Sequence, residues 1–334
     1  PGAGRQGSRL VWQGPLDGLL AGGDTLTARY LRGEQPSQRL APAREAPSRF
    51  LQVRGARKHN LRNLDVRIPL GRFVCLTGVS GSGKSSLLNG CLYDGLTGKA
   101  AGGTGRAAPY TALHGGEAID KVVRVDQSPI GKTSRSNPAT TLQLLGPIRE
   151  LFAQTPDARA KGWPPGRFSF NTAGGRCPAC QGLGEHRVEM HFLADISVPC
   201  EECGGSRFNA GTLAVRLRGL NIAQVLAMTV EEAFAFFAGH PAVTDRLWVL
   251  KRVGLGYLTL GQPAPTLSGG ESQRLKIARE LAVPSGRRNL YLLDEPTTGL
   301  HADDVATLVR VLHELVEQGH TAVVIEHNLE LIAQ

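Results

Sequence analysis

The chain has 334 residues, 41% of them hydrophobic and 5% aromatic, with a formal charge of +9. That length suits roughly two to three domains and a sizeable core. No apolar run of about 18 residues and no charged-then-apolar leader is present, so the chain reads as soluble and cytoplasmic with no membrane span.

The 42 glycines and 20 prolines fall in short clusters between periodic segments, which excludes a largely disordered chain. The positive balance suits a polyanionic partner, nucleic acid being the commonest, and equally suits a merely solvated surface. The first residue is Pro1 and Gln334 falls in a helical pattern, so the chain reads as a piece of something longer.

Residues 1–34, with a periodic stretch from Leu10 to Leu31, read as the tail of a preceding unit, and residues 35–49 have linker composition. From Phe50 the pattern becomes strand and helix. Phe50–Val53, Leu64–Ile68 and Arg72–Thr77 suit strands, the last running into a glycine-rich turn, and Ser85–Leu92 suits a helix. Lys121–Val125 is a further strand candidate, followed by a Ser/Pro/Asn-rich loop from Ser128 to Pro138 and an irregular stretch to Gly162.

Residues 163–210 hold four of the six cysteines amid close-spaced glycines, the composition of a small stapled module. Ile222–Phe237 and Ala242–Val253 then suit helices. The last third predicts a helix over Glu271–Leu281, a buried strand Leu290–Leu293, an amphipathic helix and a strand Ala322–Ile325. In the amphipathic helix Val305, Leu308, Val309, Leu312, Leu315 and Val316 recur at helical spacing, with Gly319 as the stop. No internal repeat is visible. Strand and helix alternation around a stapled insertion implies a mostly parallel α/β sheet with an inserted domain.

Gly78-Val-Ser80-Gly81-Ser82-Gly83-Lys84-Ser85, followed by Ser86, fits the phosphate-binding loop between a strand and a helix. Its glycines let backbone N–H groups face the phosphates of ATP, Lys84 adds a point charge, and Ser85 offers its hydroxyl to Mg2+. Asp294 and Glu295 close an apolar strand at what would be the carboxyl edge of the sheet, the ligand side of such folds. Asp294 suits holding Mg2+ through its bound water rather than directly, and Glu295 suits polarising the attacking water. A simple helix cap before Pro296 would account for one of these carboxylates and leave the pair unexplained.

Gln127 and His327 each follow a strand, which would bring both to that edge as γ-phosphate sensors. Each alone reads as an ordinary loop residue. Ser268-Gly269-Gly270-Glu271 opens a helix with free N–H groups, a second place suited to phosphate or a plain N-cap. Two cradles in one chain make sense if the second covers a nucleotide held by another copy or another half.

Cys177-Pro-Ala-Cys180 and Cys200-Glu-Glu-Cys203, with 19 residues between the pairs, have the spacing of a four-thiolate Zn2+ site. Four thiolates leave no open position, so the metal would be structural. Cys75 and Cys91 read as small buried apolar residues. Between the pairs, Glu185–Phe192 alternates like a hairpin strand. Nearby Arg167, Phe168, Phe170, Arg176 and Arg187 suit phosphate or base-step contact, or, for the two phenylalanines equally, packing of the module.

The phosphate loop, Gln127, Leu267-Ser-Gly-Gly-Glu271, Leu292-Leu-Asp-Glu-Pro-Thr-Thr-Gly-Leu-His301 and Ile325-Glu-His327 together resemble an ABC-type ATPase. Asp126-Gln-Ser-Pro-Ile-Gly131, Arg135-Ser-Asn-Pro-Ala139, Gly166-Arg-Phe-Ser-Phe-Asn171, Gly175-Arg-Cys177, Val188-Glu-Met-His-Phe192 and Val198-Pro-Cys200 resemble the second ATPase half of the UvrA family. Trp12-Gln-Gly-Pro15 and Leu26-Thr-Ala-Arg-Tyr30 resemble the tail of that family's first half.

The resemblance implies a P-loop core over 50–162 and 266–334, a zinc module over 163–210 and a helical signature region over 211–265. It implies an ATPase without nuclease activity of its own that recognises damaged duplex DNA in excision repair, with a helicase-like UvrB subunit as partner. It also implies a homodimer or tandem ATPase pair, and His59 as the residue on which adenine stacks. The chain departs from the family's pattern at Thr141, Ala194 and Ser272, where Tyr, Pro and Ala are expected. A UvrA-like paralogue in drug or DNA-damage tolerance and a non-DNA ABC module stand as the competing readings.

Overall fold

The computed structural model describes residues 10–22, 24–34, 46–98, 108–131, 133–188, 196–282 and 286–333. Ala194, most of the expected linker and the stretch Glu189–Phe192 lie outside these residues. Two compact units form: one from Pro1–Gln127 with Val283–Gln334, the other from Ser128–Ala282. Among the described residues no helix is long and apolar enough to cross a membrane.

The first unit holds strands β1 (Phe50–Ala56), β2 (Leu64–Pro69), β3 (Phe73–Leu76), β4 (Ala112–His114) and β5 (Lys121–Val125). The second unit holds β6 (Glu185–Val188) and β7 (Ile196–Pro199), and the first resumes with β8 (Asn289–Asp294) and β9 (Thr321–Ile325). An antiparallel sheet runs in the order β2-β1-β4, and a wholly parallel sheet in the order β3-β9-β8-β5. The parallel sheet is the one the strand and helix alternation implies.

Its two central strands are buried along almost their whole length, as continuous apolar runs covered on both faces require. Leu290, Leu292, Val323 and Ile325 share one core with Leu51, Val53 and Ile68 of the antiparallel sheet and with Leu88 and Leu92 of the helix after the phosphate loop. That helix, Ser86–Tyr93, is wound wide in π form rather than as the expected α-helix. Its Gly90 lets the Lys58 side chain cross it, since a Cβ there would lie 2.2 Å from Lys58 Cδ, and Lys58 continues to Asp94 at 3.3 Å. Helix Ala302–Glu317 joins β8 to β9 and buries the predicted stripe, with Gly319 at φ +90° beyond its end.

The second unit is mostly short helices around the cysteine module. Leu145–Ala153 forms a helix within the stretch expected to be irregular, where Gly146 and Pro147 signal a break. A proline in the first turn costs a helix nothing, since its missing N–H has no partner there anyway. The expected single helix Ile222–Phe237 is two, Ile222–Leu226 and Val230–Phe236. Thr229 starts the second by a capping box: its Oγ1 accepts the Glu232 N–H at 3.1 Å and its own N–H donates to Glu232 Oε2 at 2.8 Å. Strands β6 and β7 pair antiparallel as a hairpin.

Candidate functional site: a nucleotide cleft and a four-cysteine cluster

Parallel strands bring all their carboxyl ends to one edge. The register aligns Leu76 of β3 with Ile325 of β9, Ile325 with Asp294 of β8, and Leu293 with Val125 of β5. The residues that follow each strand therefore meet there: the phosphate loop after β3, Gln127 after β5, Glu295 after β8, and His327 after β9. A cleft of about 300 Å³ opens at this edge, lined by Asn60, residues 80–86, Glu295 and His327, with Gln127 outside its lining. That is the lower end of the size range for small-molecule sites.

The loop is held by its own backbone and by Asn60. Lys84 Nζ donates to the carbonyls of Gly78 at 2.8 Å and Val79 at 2.9 Å, and Asn60 Nδ2 donates to the Gly81 carbonyl at 2.7 Å. Gly83 sits at φ +98°, and a Cβ there would lie 2.8 Å from Leu61 Cδ2 and 3.0 Å from Asn60 Oδ1. Only glycine combines that backbone with that approach. His59 also lies beside the loop, exposed, with Nδ1 3.0 Å from Ser86 Oγ. No motif in the sequence marks Asn60 beyond its place next to His59.

Glu295 adopts φ +45°, a left-handed conformation uncommon outside glycine. Its N–H donates to the Ile325 carbonyl at 3.0 Å, its carbonyl accepts from Gln127 Nε2 at 3.2 Å, and its Oε1 lies 3.8 Å from His327 Nε2. Its carboxylate and the His327 ring remain half-exposed toward the cleft. Asp294 Oδ2 accepts from Asn89 Nδ2 at 3.4 Å. Ser85 and Asp294 present the hydroxyl and carboxylate oxygens that Mg2+ takes as ligands, directly or through water.

Ser268, Gly269 and Gly270 lie in the second unit, at the start of helix Gly269–Leu281. Ser268 Oγ accepts the Glu271 N–H at 3.2 Å, and Glu271 Oε2 accepts the Ser268 N–H at 2.7 Å. Tyr257, unmarked by any sequence signal, donates its hydroxyl to Glu271 Oε1 at 2.7 Å. Both Glu271 oxygens are thus engaged, one within the turn and one by Tyr257.

The four predicted cysteines converge, with all sulfurs within 4.8 Å of one another. Cys177 and Cys200 sulfurs are 3.9 Å apart, and those of Cys180 and Cys203 are 3.7 Å apart. A tetrahedron with Zn–S bonds of about 2.3 Å sets its sulfurs about 3.8 Å apart, so the donor set fits zinc. Backbone N–H groups point at the sulfurs, Gly184 donating to Cys180 Sγ at 3.2 Å. Burial pushes the Cys177 thiol up to about 12, whereas the Cys203 N–H, with His186 and the Cys203 thiol, draws Cys200 down to about 6. Burial lowers the pKa of the Arg207 guanidinium, and Glu185, Cys180 and Cys203 oppose that shift, so a cation stands beside the thiols.

Phe168 and Phe170 are buried, against Phe152 of helix Leu145–Ala153 and Phe208 respectively, so internal packing accounts for both. Arg167 stacks on Trp163 at 4.2 Å. Cys91 is fully buried as expected, whereas Cys75 is only partly so.

No family model matches the chain. It is 54% identical over 332 residues to UvrABC system protein A of Thermus thermophilus, covering 99% of this chain and 35% of the relative. The corresponding protein of Methanothermobacter thermautotrophicus is 56% identical, over 99% of the chain and 34% of the relative. The crystal structure of UvrA2 from Deinococcus radiodurans superposes with a TM-score of 0.89 at 46% identity, over 99% of this chain and 40% of that one. The chain spans about a third of the length of the curated relatives it matches. Over nearly its whole length, the chain is thus similar in sequence and fold to about a third of a UvrA protein, and its core has the α/β architecture of an ABC-type ATPase.

Proposed function

We propose that the chain forms one ATP-hydrolysing half of a protein that recognises damaged duplex DNA in excision repair. The observation that carries the catalytic part is the convergence of the phosphate loop, Glu295 and His327 on one cleft at the carboxyl edge of a parallel sheet, with Gln127 bonded to the Glu295 carbonyl behind it.

In this reading the N–H groups of residues 78–86 and the Lys84 ammonium hold the β- and γ-phosphates. Ser85 and Asp294 hold Mg2+, which when bound neutralises charge on the phosphate oxygens. Glu295 accepts a hydrogen bond from the attacking water and orients it in line with the γ-phosphate, and His327 donates to a γ-phosphate oxygen. Gln127, bonded to the Glu295 carbonyl at 3.2 Å, reports on that residue's position. Adenine stacks on His59, which lies beside Ser86. Ser268, Gly269 and Gly270 cover the nucleotide of a second copy or of the tandem half.

We assign residues 163–210 to a module held by structural zinc and 211–265 to the helical signature region. The net charge of +9 and the identity with UvrABC system protein A support duplex DNA as the ligand, read through deformability rather than base sequence. A UvrB-like helicase subunit is the protein partner in this reading, cleavage of DNA lies with other subunits, and the compartment is the cytoplasm. ATPase assays on the full-length gene product, with and without DNA, test the catalytic assignment. Absence of hydrolysis by the parent protein removes it.

A further inference from the structure

Glu326, which the sequence marks only as the residue before His327, is 2% exposed at the edge where all four loops meet. Both of its carboxylate oxygens are spoken for. Oε1 accepts the Thr297 N–H at 2.9 Å, and Oε2 accepts those of His327 at 2.8 Å and Asn328 at 3.0 Å. Its own N–H donates to the Leu76 carbonyl at 3.3 Å, at the root of the phosphate loop. One buried side chain therefore ties the turn that carries Glu295 to the turn that carries His327.

We propose that Glu326 is a positioning residue that fixes Glu295 and His327 relative to each other, an inference that rests on the ATPase reading above. A carboxylate suits this place because it only accepts, and every partner is a donor. Glutamine offers one accepting oxygen and turns an NH2 group toward at least one backbone N–H. Aspartate keeps the charge but is one methylene too short to span both turns. The Glu326 carboxylate lies outside the lining of the cleft, so its loss spares nucleotide binding and acts on the chemical step.

The test is steady-state ATPase kinetics of the full-length gene product carrying Glu326→Gln or Glu326→Asp, alone and with His327→Ala. The expected result is a kcat lower by roughly 10- to 100-fold, the scale of a 1 Å misplacement, with KM for ATP within about twofold of the parent. In the His327→Ala background the further loss should be smaller than in the parent, because part of the tie acts through that residue and only the Glu295 side remains to be misplaced. Faster amide exchange at Thr297, His327 and Asn328 should accompany it, and this carries the test should one variant fold poorly. An unchanged kcat, a loss confined to KM, or a full additional loss beside His327→Ala would overturn the inference while leaving the ATPase reading intact. A parent protein that does not hydrolyse ATP would overturn both.

Discussion

Replacing Cys177 by serine probes the four-sulfur cluster. The parent sulfurs stand 3.7 and 3.9 Å apart in the two closest pairs, against about 3.8 Å for a zinc tetrahedron, so the fold preforms the site. Structural zinc contributes an apparent free energy of about 10–16 kcal/mol at neutral pH when all four ligands engage. One sulfur in four carries about a quarter of that, roughly 3 kcal/mol, which corresponds to roughly a hundredfold in affinity. A serine hydroxyl does not ionise at neutral pH and leaves the fourth position open. Dialysis against a graded chelator series followed by elemental analysis reads the difference. Cys177→Ser should release its zinc at about a hundredfold lower chelator concentration than the parent. Cys75→Ala, on β3 in the other unit, should release it at the parent's concentration. Zinc held as tightly by Cys177→Ser as by the parent refutes the four-thiolate assignment.

Three further outcomes follow from the cleft and its core. Lys84→Ala should abolish binding of a fluorescent ATP analogue, and unchanged affinity would remove Lys84 from the phosphate site. Glu295→Gln should retain ATP binding while kcat falls by about 10²- to 10⁴-fold, the range for loss of a positioned general base. Hydrolysis at the parent rate would return Glu295 to a capping role. Leu292→Ala, fully buried in the core between the two sheets, should destabilise the first unit by about 2–5 kcal/mol in denaturant unfolding, with zinc content unchanged. An effect under about 0.5 kcal/mol, typical of surface positions, would contradict the packing described.

The parts of the fold that the sequence announced are those with dense local signals. The apolar runs that became β8 and β9, the stripe of helix Ala302–Glu317 and the glycine loop before Lys84 all combine period, flanks and length. The three-residue strand β4 carries too few residues for any period to show. Helix Leu145–Ala153 was hidden by a Gly-Pro pair that is harmless in a first turn, and the break at Thr229 by an apolar spacing that runs across it.

The site divides in the same way. Residues in motifs were legible, whereas Asn60, Asn89, Tyr257 and Glu326 owe their places to partners far away in the chain. The Glu326 bond to Thr297 spans 29 residues and that of Asn89 to Asp294 spans 205. The two phenylalanines near the first cysteine pair show the converse: their chemistry suits DNA contact, but only the fold shows both rings buried, Phe168 against Phe152 of helix Leu145–Ala153 and Phe170 against Phe208.

Equilibrium binding of the full-length gene product to a duplex carrying one bulky lesion, against the same duplex intact, tests the central claim most directly. It should be made with ATP, Mg2+ and zinc present and at one stated salt concentration, because phosphate contacts make affinity steeply salt-dependent. A preference for the damaged duplex is expected, altered by both Lys84→Ala and Glu295→Gln. Equal affinity for the two duplexes, beside intact ATP hydrolysis, would contradict damage recognition and leave an ABC-type ATPase with another task.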